Sequence, residues 1–169
     1  MNYSKIIEYD TANGYNYSVT IWVCGCDRRC KNCFNSELWD ANAGKPFTQA
    51  AKDKLFTSLS KPHIKNFVIL GGEPLSKYNA DEIVELCREI KENFDIQIIV
   101  YTGYSFKELE NIDLQYFDII IDGSFEEEKR VYNDYRGSSN QRCWRRGELG
   151  WYDSSDCYFK TDGTVISHD

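Results

Sequence analysis

Long hydrophobic runs and prolines are both scarce in this 169-residue sequence. The longest apolar runs are Phe67–Leu70 and Ile96–Tyr101, whereas a helix that crosses a bilayer needs about 20 apolar residues. With only three prolines and 11 glycines, the chain also lacks the composition of a collagen-like repeat or of a disordered segment. We therefore expect a globular protein without a membrane-spanning segment.

Positive charge is scarce relative to negative charge. Twenty Lys and Arg residues stand against 27 Asp and Glu residues, which gives a formal net charge of -7. The basic surface that binds phosphate backbones is therefore missing, and we expect no nucleic-acid partner. The N-terminal stretch MNYSKIIEYD has no basic segment followed by an apolar one, so no signal peptide is visible and we expect a cytoplasmic protein.

Apolar strand segments alternate with helical segments along the chain. The predicted strands are Val19–Val23, Asn66–Leu70, Ile96–Tyr101 and Phe117–Ile121. Strands that are apolar on both faces and alternate with helices pair in parallel through right-handed crossovers. A complete barrel of this kind needs about 250 residues. We therefore predict one α/β domain over residues 1–169, an open, partial (β/α) barrel with mainly parallel strands.

Short polar motifs predict where other elements begin. Helical spacing starts after Thr48 and again after Asn79, where Glu82 completes the pattern of a capping box. Ser105 with Glu108 has the same pattern before a short helix. Near the C-terminus, residues 158–166 read as a hairpin with its turn at Asp162-Gly163.

Cysteine is the residue type that carries the most chemical information. The seven cysteines are an odd number in a chain of cytosolic character, which favours metal or redox chemistry over a disulfide framework. Cys26, Cys30 and Cys33 form a CxxxCxxC array directly after the first predicted strand. Thiolates are the ligands of iron–sulfur clusters. Three protein ligands on a four-iron cluster leave one iron open, as a catalytic centre requires.

Other interpretations of these cysteines remain open. A structural zinc site is one, although such sites usually take two cysteine pairs from separate segments. A redox dithiol formed by Cys30 and Cys33 is another, but it leaves Cys26 unexplained. Cys24, two residues before Cys26, is interpreted as a small packed hydrophobe beside the site.

A second motif, Gly71-Gly72-Glu73-Pro74, follows the second predicted strand. Two glycines let a backbone approach a ligand closely and adopt positive φ. Alone the motif is an ordinary strand-to-helix turn. It gains weight because the carboxyl ends of parallel strands meet at one edge of the sheet, where ligands of such folds bind.

Together these motifs resemble those of the radical S-adenosylmethionine (SAM) superfamily. Within it, the chain resembles the branch of glycyl-radical-activating enzymes that activate anaerobic ribonucleoside-triphosphate reductases. The further motifs that carry this likeness run in chain order: Asn13-Gly14, Tyr101-Thr102-Gly103-Tyr104, Ile121-Asp122-Gly123 and Arg136-Gly137-Ser138-Ser139-Asn140-Gln141-Arg142.

The resemblance implies cofactors, partners and roles for particular residues. Cys26, Cys30 and Cys33 would bind a [4Fe–4S] cluster, and Gly71, Gly72 and Glu73 would line the methionine amino group of SAM. One electron from the cluster would cleave SAM, and the resulting 5′-deoxyadenosyl radical would take a hydrogen atom from a glycine of the reductase. A flavodoxin-type reductant would supply the electron. No catalytic side chain beyond the cluster and SAM is implied.

Three more residues are candidates for cofactor binding. Many superfamily members have an aromatic residue just before the third cysteine, where this chain has Asn32. Phe34 could cover the adenine instead, or serve the core or shield the cluster. Thr102 and Asp122 each end a predicted strand, so they either contact SAM or an ion or cap the turns that follow. The polar loop 136–142 contacts the partner or the cofactor, or is simply solvated.

Two competing functions remain at this point. Another small radical SAM enzyme, acting on a peptide or a small heterocycle, would carry the same cluster motif. A zinc-stabilised binding module is the non-enzymatic alternative, and metal analysis distinguishes it from the enzymes.

Overall fold

The computed structural model describes residues 1–132 and 134–155, and beyond them only the backbone of Tyr158–Phe159 and Val165–Ile166. Within these residues an eight-stranded sheet carries two α-helices. Its strands are β1 (Asn2–Asp10), β2 (Tyr17–Val23), β3 (Lys45–Pro46), β4 (Ile64–Gly71), β5 (Gln97–Tyr101), β6 (Ile119–Asp122), β7 (Arg142–Gly147) and β8 (Gly150–Asp153). The helices are α1 (Gln49–Leu59) and α2 (Ala80–Asn93).

The strand order is β3-β1-β2-β4-β5-β6-β7-β8, so the sheet has two edges and is not closed. The four central strands β2, β4, β5 and β6 are parallel, as the alternating pattern predicts. The prediction of mainly parallel strands is nevertheless wrong for the sheet as a whole. Four of its seven pairings are antiparallel, because β1 and β3 are added at one side and β7 and β8 at the other.

The two faces of the central strands are buried against different groups. On one face, Ile21, Phe67 and Ile98 pack with Leu55 of α1 and Ile83 of α2 in the main core. On the other face lies a smaller cluster of Val68, Leu70, Ile99, Ile119, Ile121 and Cys143, with aromatic side chains against it. Burial on both faces explains why these strands are apolar along their whole length. Neither α1 nor α2 packs on this second face, which carries the cavity described below.

Local signals explain where the elements begin. The Thr48 hydroxyl accepts a hydrogen bond from the backbone N–H of Ala51, which caps α1. The Ser105–Glu108 capping box is confirmed at a short 3-10 helix, Phe106–Leu109. The capping box predicted at Asn79 is wrong. The Asn79 side-chain amide instead donates to the carbonyl oxygens of Cys24 and Glu73, at 2.9 and 3.0 Å.

The C-terminal hairpin is confirmed in its pairing. β9 (Tyr158–Phe159) and β10 (Val165–Ile166) are antiparallel neighbours, whereas the predicted turn at Asp162-Gly163 lies outside the described residues. No helix among the described residues is both long and apolar enough to cross a membrane.

Candidate functional site

The CxxxCxxC segment forms a loop at the carboxyl end of β2. Its root is fixed by the returning chain, because the backbone N–H groups of Gly25 and Cys26 donate to the carbonyl oxygens of Leu38 and Trp39 at 2.8 and 3.1 Å. Arg29 directly precedes Cys30, and Asn32 directly precedes Cys33. The two residues adopt positive φ of 47° and 55°. These left-handed residues, uncommon for side chains other than glycine, turn the loop tightly enough to bring its cysteines to one wall.

The three cysteines of this loop line one cavity of about 300 Å³. Cys26 is buried, whereas Cys30 and Cys33 are half-buried. Burial raises the pKa of the Cys26 thiol, and backbone N–H groups of Arg29 and Arg28 that point at its sulfur oppose the rise. The backbone N–H of Asn35 donates to the Cys33 sulfur at 3.4 Å. Such N–H groups stabilise a thiolate, which is the form that binds metal.

This donor set fits an iron–sulfur cluster. The described residues contain no group of three or more His, Cys, Asp or Glu side chains close enough together to hold a single metal ion. A cluster has a different requirement, because each thiolate can bind a different iron atom. Three thiols that face one cavity from a single loop meet this requirement.

Gly71 and Gly72 join the end of β4 to the root of the cluster loop. Gly71 has a φ of +123°, and a Cβ placed on it would lie 2.5 Å from the carbonyl oxygen of Val23. A Cβ on Gly72 would lie 2.6 Å from the carbonyl oxygen of Gly25. Both positions therefore require glycine for close backbone packing. The consequence is that the two motifs meet at one edge of the sheet, as their positions after strands predict.

Glu73 is the one carboxylate in the described wall of the cavity, and it is almost completely buried, with 1% of its surface exposed. It accepts hydrogen bonds from the hydroxyl of Thr102 at 2.8 Å and from the backbone N–H groups of Leu75 and Gly103 at 3.0 and 2.7 Å. Burial raises the pKa of the Glu73 carboxyl to about 7, although these hydrogen bonds act in the opposite direction. A cation that entered the cavity would favour the ionised form.

Thr102 and Phe34, two of the predicted cofactor-binding residues, also line the cavity. Thr102 is buried, and besides its bond to Glu73 its hydroxyl accepts from the backbone N–H of Tyr104 at 3.2 Å. Phe34 is 53% exposed, and its ring packs on that of Phe125 with centroids 4.8 Å apart. The guanidinium of Arg130 lies 4.3 Å from the Phe34 ring centroid. Phe34 therefore forms an aromatic rim rather than part of the core.

Asp122 is not among the residues that the structure brings to the cavity. It is fully buried, and its carboxylate accepts two hydrogen bonds from the Arg142 guanidinium, at 3.1 and 2.6 Å. The backbone N–H of Phe106 also donates to it. Of the two roles predicted for Asp122, the structure shows the one within the fold: this carboxylate joins β6 to β7 and to the short helix after β5, and a contact with the cofactor stays a prediction.

The polar loop 136–142 is a wall of the cavity, a role that sequence reasoning left open. Gln141 holds it in place, because its side-chain oxygen accepts from the backbone N–H groups of Gly137 and Ser138 at 2.8 and 3.1 Å. Its side-chain amide donates to the carbonyl oxygen of Gly123 at 2.8 Å. Gly137 and Gln141 both line the cavity. The run RGSSNQR was the only signal of this wall in the sequence.

Arg28 and Asn13 also line the cavity, although the sequence analysis assigns neither of them a role. Arg28 lies inside the cysteine array, where the motif leaves its identity unspecified. Asn13 is positioned by the buried carboxylate of Asp10, which accepts from the Asn13 side-chain amide at 2.7 Å. Its carbonyl oxygen accepts from the hydroxyl of Tyr101 at 3.0 Å. The Asn13-Gly14 motif was the sequence signal for Asn13.

Comparisons with known proteins agree with this geometry. A family model described as a 4Fe-4S single cluster domain matches residues 12–144, which include the three cysteines of the loop and the glycine motif after β4. The chain is 36% identical over 153 residues to the anaerobic ribonucleoside-triphosphate reductase-activating protein of Enterobacteria phage T4, which covers 89% of this chain and 98% of the relative. It is also similar to the proteins of the same name from Escherichia coli K12, at 36% identity, and from Vibrio cholerae, at 33% identity. Each of these alignments spans 148 residues, which are 83% of this chain and 96% of the relative.

Proposed function

This chain belongs to the family of anaerobic ribonucleoside-triphosphate reductase-activating proteins, and we propose that it forms a glycyl radical on such a reductase. When bound, a [4Fe–4S] cluster and SAM supply the one-electron chemistry by which a glycine of the reductase loses a hydrogen atom. The protein's own residues bind these groups, orient them and limit the access of water. The observation that carries the proposal is the single cavity lined by three thiols and by the glycine motif after β4.

Cys26, Cys30 and Cys33 are the cluster ligands in this proposal. Their origin in one short loop supports it, because four irons held by three thiols leave one iron for SAM. The N–H groups directed at the sulfurs of Cys26 and Cys33 stabilise the thiolate form.

Gly71, Gly72 and Glu73 bind the amino end of the methionine moiety. Glu73 suits an ammonium group, because it is the one carboxylate in the described cavity wall and is held rigidly by three donors. Thr102 acts through Glu73 as a positioning residue. Phe34, exposed at the rim and already packed on Phe125, covers the adenine ring.

The wider setting of the site is part of the same proposal. Residues 1–169 form a single radical SAM domain in which the four parallel strands are the curved part of an open, partial barrel, with the cavity at their carboxyl ends. A flavodoxin-type reductant supplies the electron, and the protein acts in the cytoplasm. The cavity shared by the ends of β2, β4 and β5 supports the placement of the site in such a barrel.

Anaerobic reconstitution followed by iron, sulfide and zinc analysis tests the proposal first. About four irons per chain are expected, with loss of most of them in Cys30→Ala. Cys24→Ala is the matched control, because Cys24 lies two residues before the array but does not line the cavity. Stoichiometric zinc without iron would support a zinc-stabilised module instead.

Product analysis tests the second half of the proposal. The loaded protein, supplied with a reductant and SAM, is expected to release methionine and 5′-deoxyadenosine in a way that depends on the reductase. Release that proceeds with a peptide or heterocycle but not with the reductase would favour a different small radical SAM enzyme.

A further inference from the structure

We propose that Arg28 binds the carboxylate of the methionine moiety of SAM and thereby fixes the orientation of this ligand against Glu73. The inference rests on the proposed function and deepens it at the same site. Among the described residues that line the cavity, Arg28 is the one cation and Glu73 the one carboxylate. The methionine moiety carries one amino and one carboxylate group, so its two charges match the two charges of the wall.

The two charged side chains flank a single residue. A Cβ placed on Gly103 would lie 3.2 Å from Cγ of Arg28 and 3.3 Å from Oε2 of Glu73. The stem of Arg28 and the carboxylate of Glu73 therefore both lie close to the position that a side chain at residue 103 would occupy. Because residue 103 has no side chain, the Arg28 stem and the Glu73 carboxylate share one stretch of the cavity wall.

The Arg28 side chain is already held in place by residues from two other segments, the short helix after β5 and the loop after β6. One guanidinium nitrogen donates to Oε1 of Glu108 and the other to Oγ of Ser124, each at 3.1 Å. The guanidinium also lies 5.0 Å from the ring centroid of Tyr104. A guanidinium has five N–H donors, and these two bonds use two of them. The remaining donors can bind a carboxylate without the entropic cost of ordering a free side chain.

Charge explains why the ligand would bind in one direction. A carboxylate that leaves water needs a partner of opposite charge. Glu73 repels it, so the amino group lies on the Glu73 side and the carboxylate on the Arg28 side. Glu108 takes one N–H of the Arg28 guanidinium through its Oε1, while its Oε2 accepts from the backbone N–H and hydroxyl of Ser105 at 2.7 and 2.8 Å, so further donors of Arg28 stay available to the ligand.

Ligand binding to the anaerobically loaded protein tests the proposal. Equilibrium dialysis would measure the dissociation constants of SAM and of decarboxylated SAM, which lacks only the carboxylate. Arg28→Gln is expected to weaken SAM binding by about 10- to 100-fold, the usual loss for a hydrogen bond to a charged group. Binding of decarboxylated SAM should change by less than about threefold. Arg28→Lys, which keeps the charge, should recover part of the loss.

Lys31→Gln is the matched control, because Lys31 lies in the same loop but is exposed and does not line this cavity. It should bind both ligands as the unchanged protein does. The EPR spectrum of the reduced cluster without SAM should be the same in all variants. Equal weakening of both ligands, or unchanged SAM binding in Arg28→Gln, would overturn the role of Arg28 while the proposed function stands. A chain that takes up no cluster would overturn the proposed function and this inference with it.

Discussion

The hydroxyl of Thr102 donates a hydrogen bond to the Glu73 carboxylate at 2.8 Å, so one buried pair joins the loop after β4 to the end of β5. Both residues are almost inaccessible to solvent, at 3% and 1% exposure. A buried carboxylate that loses a donor is left partly unsatisfied, which costs more than an exposed bond would. The pair therefore links the stability of the sheet edge to the geometry of the site.

Replacing Thr102 with Val tests this link, because Val keeps the shape and removes the hydroxyl. We expect the free energy of unfolding to fall by about 1–3 kcal/mol, measured by urea denaturation. Thr57→Val is the control, since the Thr57 hydroxyl donates to the Asp53 carbonyl on the exposed side of α1. The control should change stability by less than about 0.5 kcal/mol, and equal effects in the two variants would contradict the account.

The pH dependence of stability reports on Glu73. Burial raises the pKa of its carboxyl from 4.5 to about 7 in the folded protein. Below pH 4.5 the group is protonated in both the folded and the unfolded state. As the pH rises from there to about 7, the unfolded chain releases the proton and the folded protein retains it, so stability falls.

Glu73→Gln removes this titration and isolates its contribution. The stability of the unchanged protein relative to the variant should fall by about 3 kcal/mol between pH 4.5 and 8, with most of the change below pH 7. The loss of carboxylate bonding in the variant adds an offset that does not vary with pH. Urea denaturation of both proteins across this pH range measures the difference between their free energies of unfolding. A difference that stays constant with pH would show that the pKa of the Glu73 carboxyl is not raised in the folded protein.

Gln141 is expected to hold the wall formed by the loop 136–142. Gln141→Leu removes the acceptor of the Gly137 and Ser138 N–H groups and the donor to Gly123. Hydrogen exchange at the Gly137 and Ser138 amides should become at least about tenfold faster, while exchange in β4 stays unchanged. Gln115→Leu is the control, because the Gln115 side-chain amide donates to the nearby Asp113 carboxylate in an exposed turn away from this loop. Unchanged exchange in Gln141→Leu would show that other contacts hold the loop.

The central parallel strands and the meeting of the two motifs were predictable from the sequence. Their residues are apolar on both faces, and parallel strands deliver their carboxyl ends to one edge. β1 and β7 were not predicted, because they lie outside the parallel core and carry charged residues such as Lys5, Glu8 and Arg145. A strand at the flank of a sheet needs no continuous apolar run, so its sequence resembles that of a loop.

The features that the sequence did not predict depend on side-chain contacts between segments that are far apart along the chain. The local pattern at Asn79 matches a capping box, yet its amide binds Cys24 and Glu73, which only the folded chain brings near. Asp122 ends a parallel strand, as predicted, but Arg142 from β7 takes its carboxylate. Arg28 gave no signal, because its place in the cavity depends on Glu108 and Ser124. Sequence spacing indicates the edge of the sheet at which a side chain lies, but not which partner binds it.

Formation of the glycyl radical is tested most directly by an EPR measurement on the reductase after anaerobic incubation with this protein, SAM and a reductant. We expect the doublet of a glycyl radical on the reductase, present with the unchanged protein and with Cys24→Ala and absent with Cys30→Ala. A loaded protein that cleaves SAM without producing the doublet, or an equal doublet with Cys30→Ala, would contradict the proposed function.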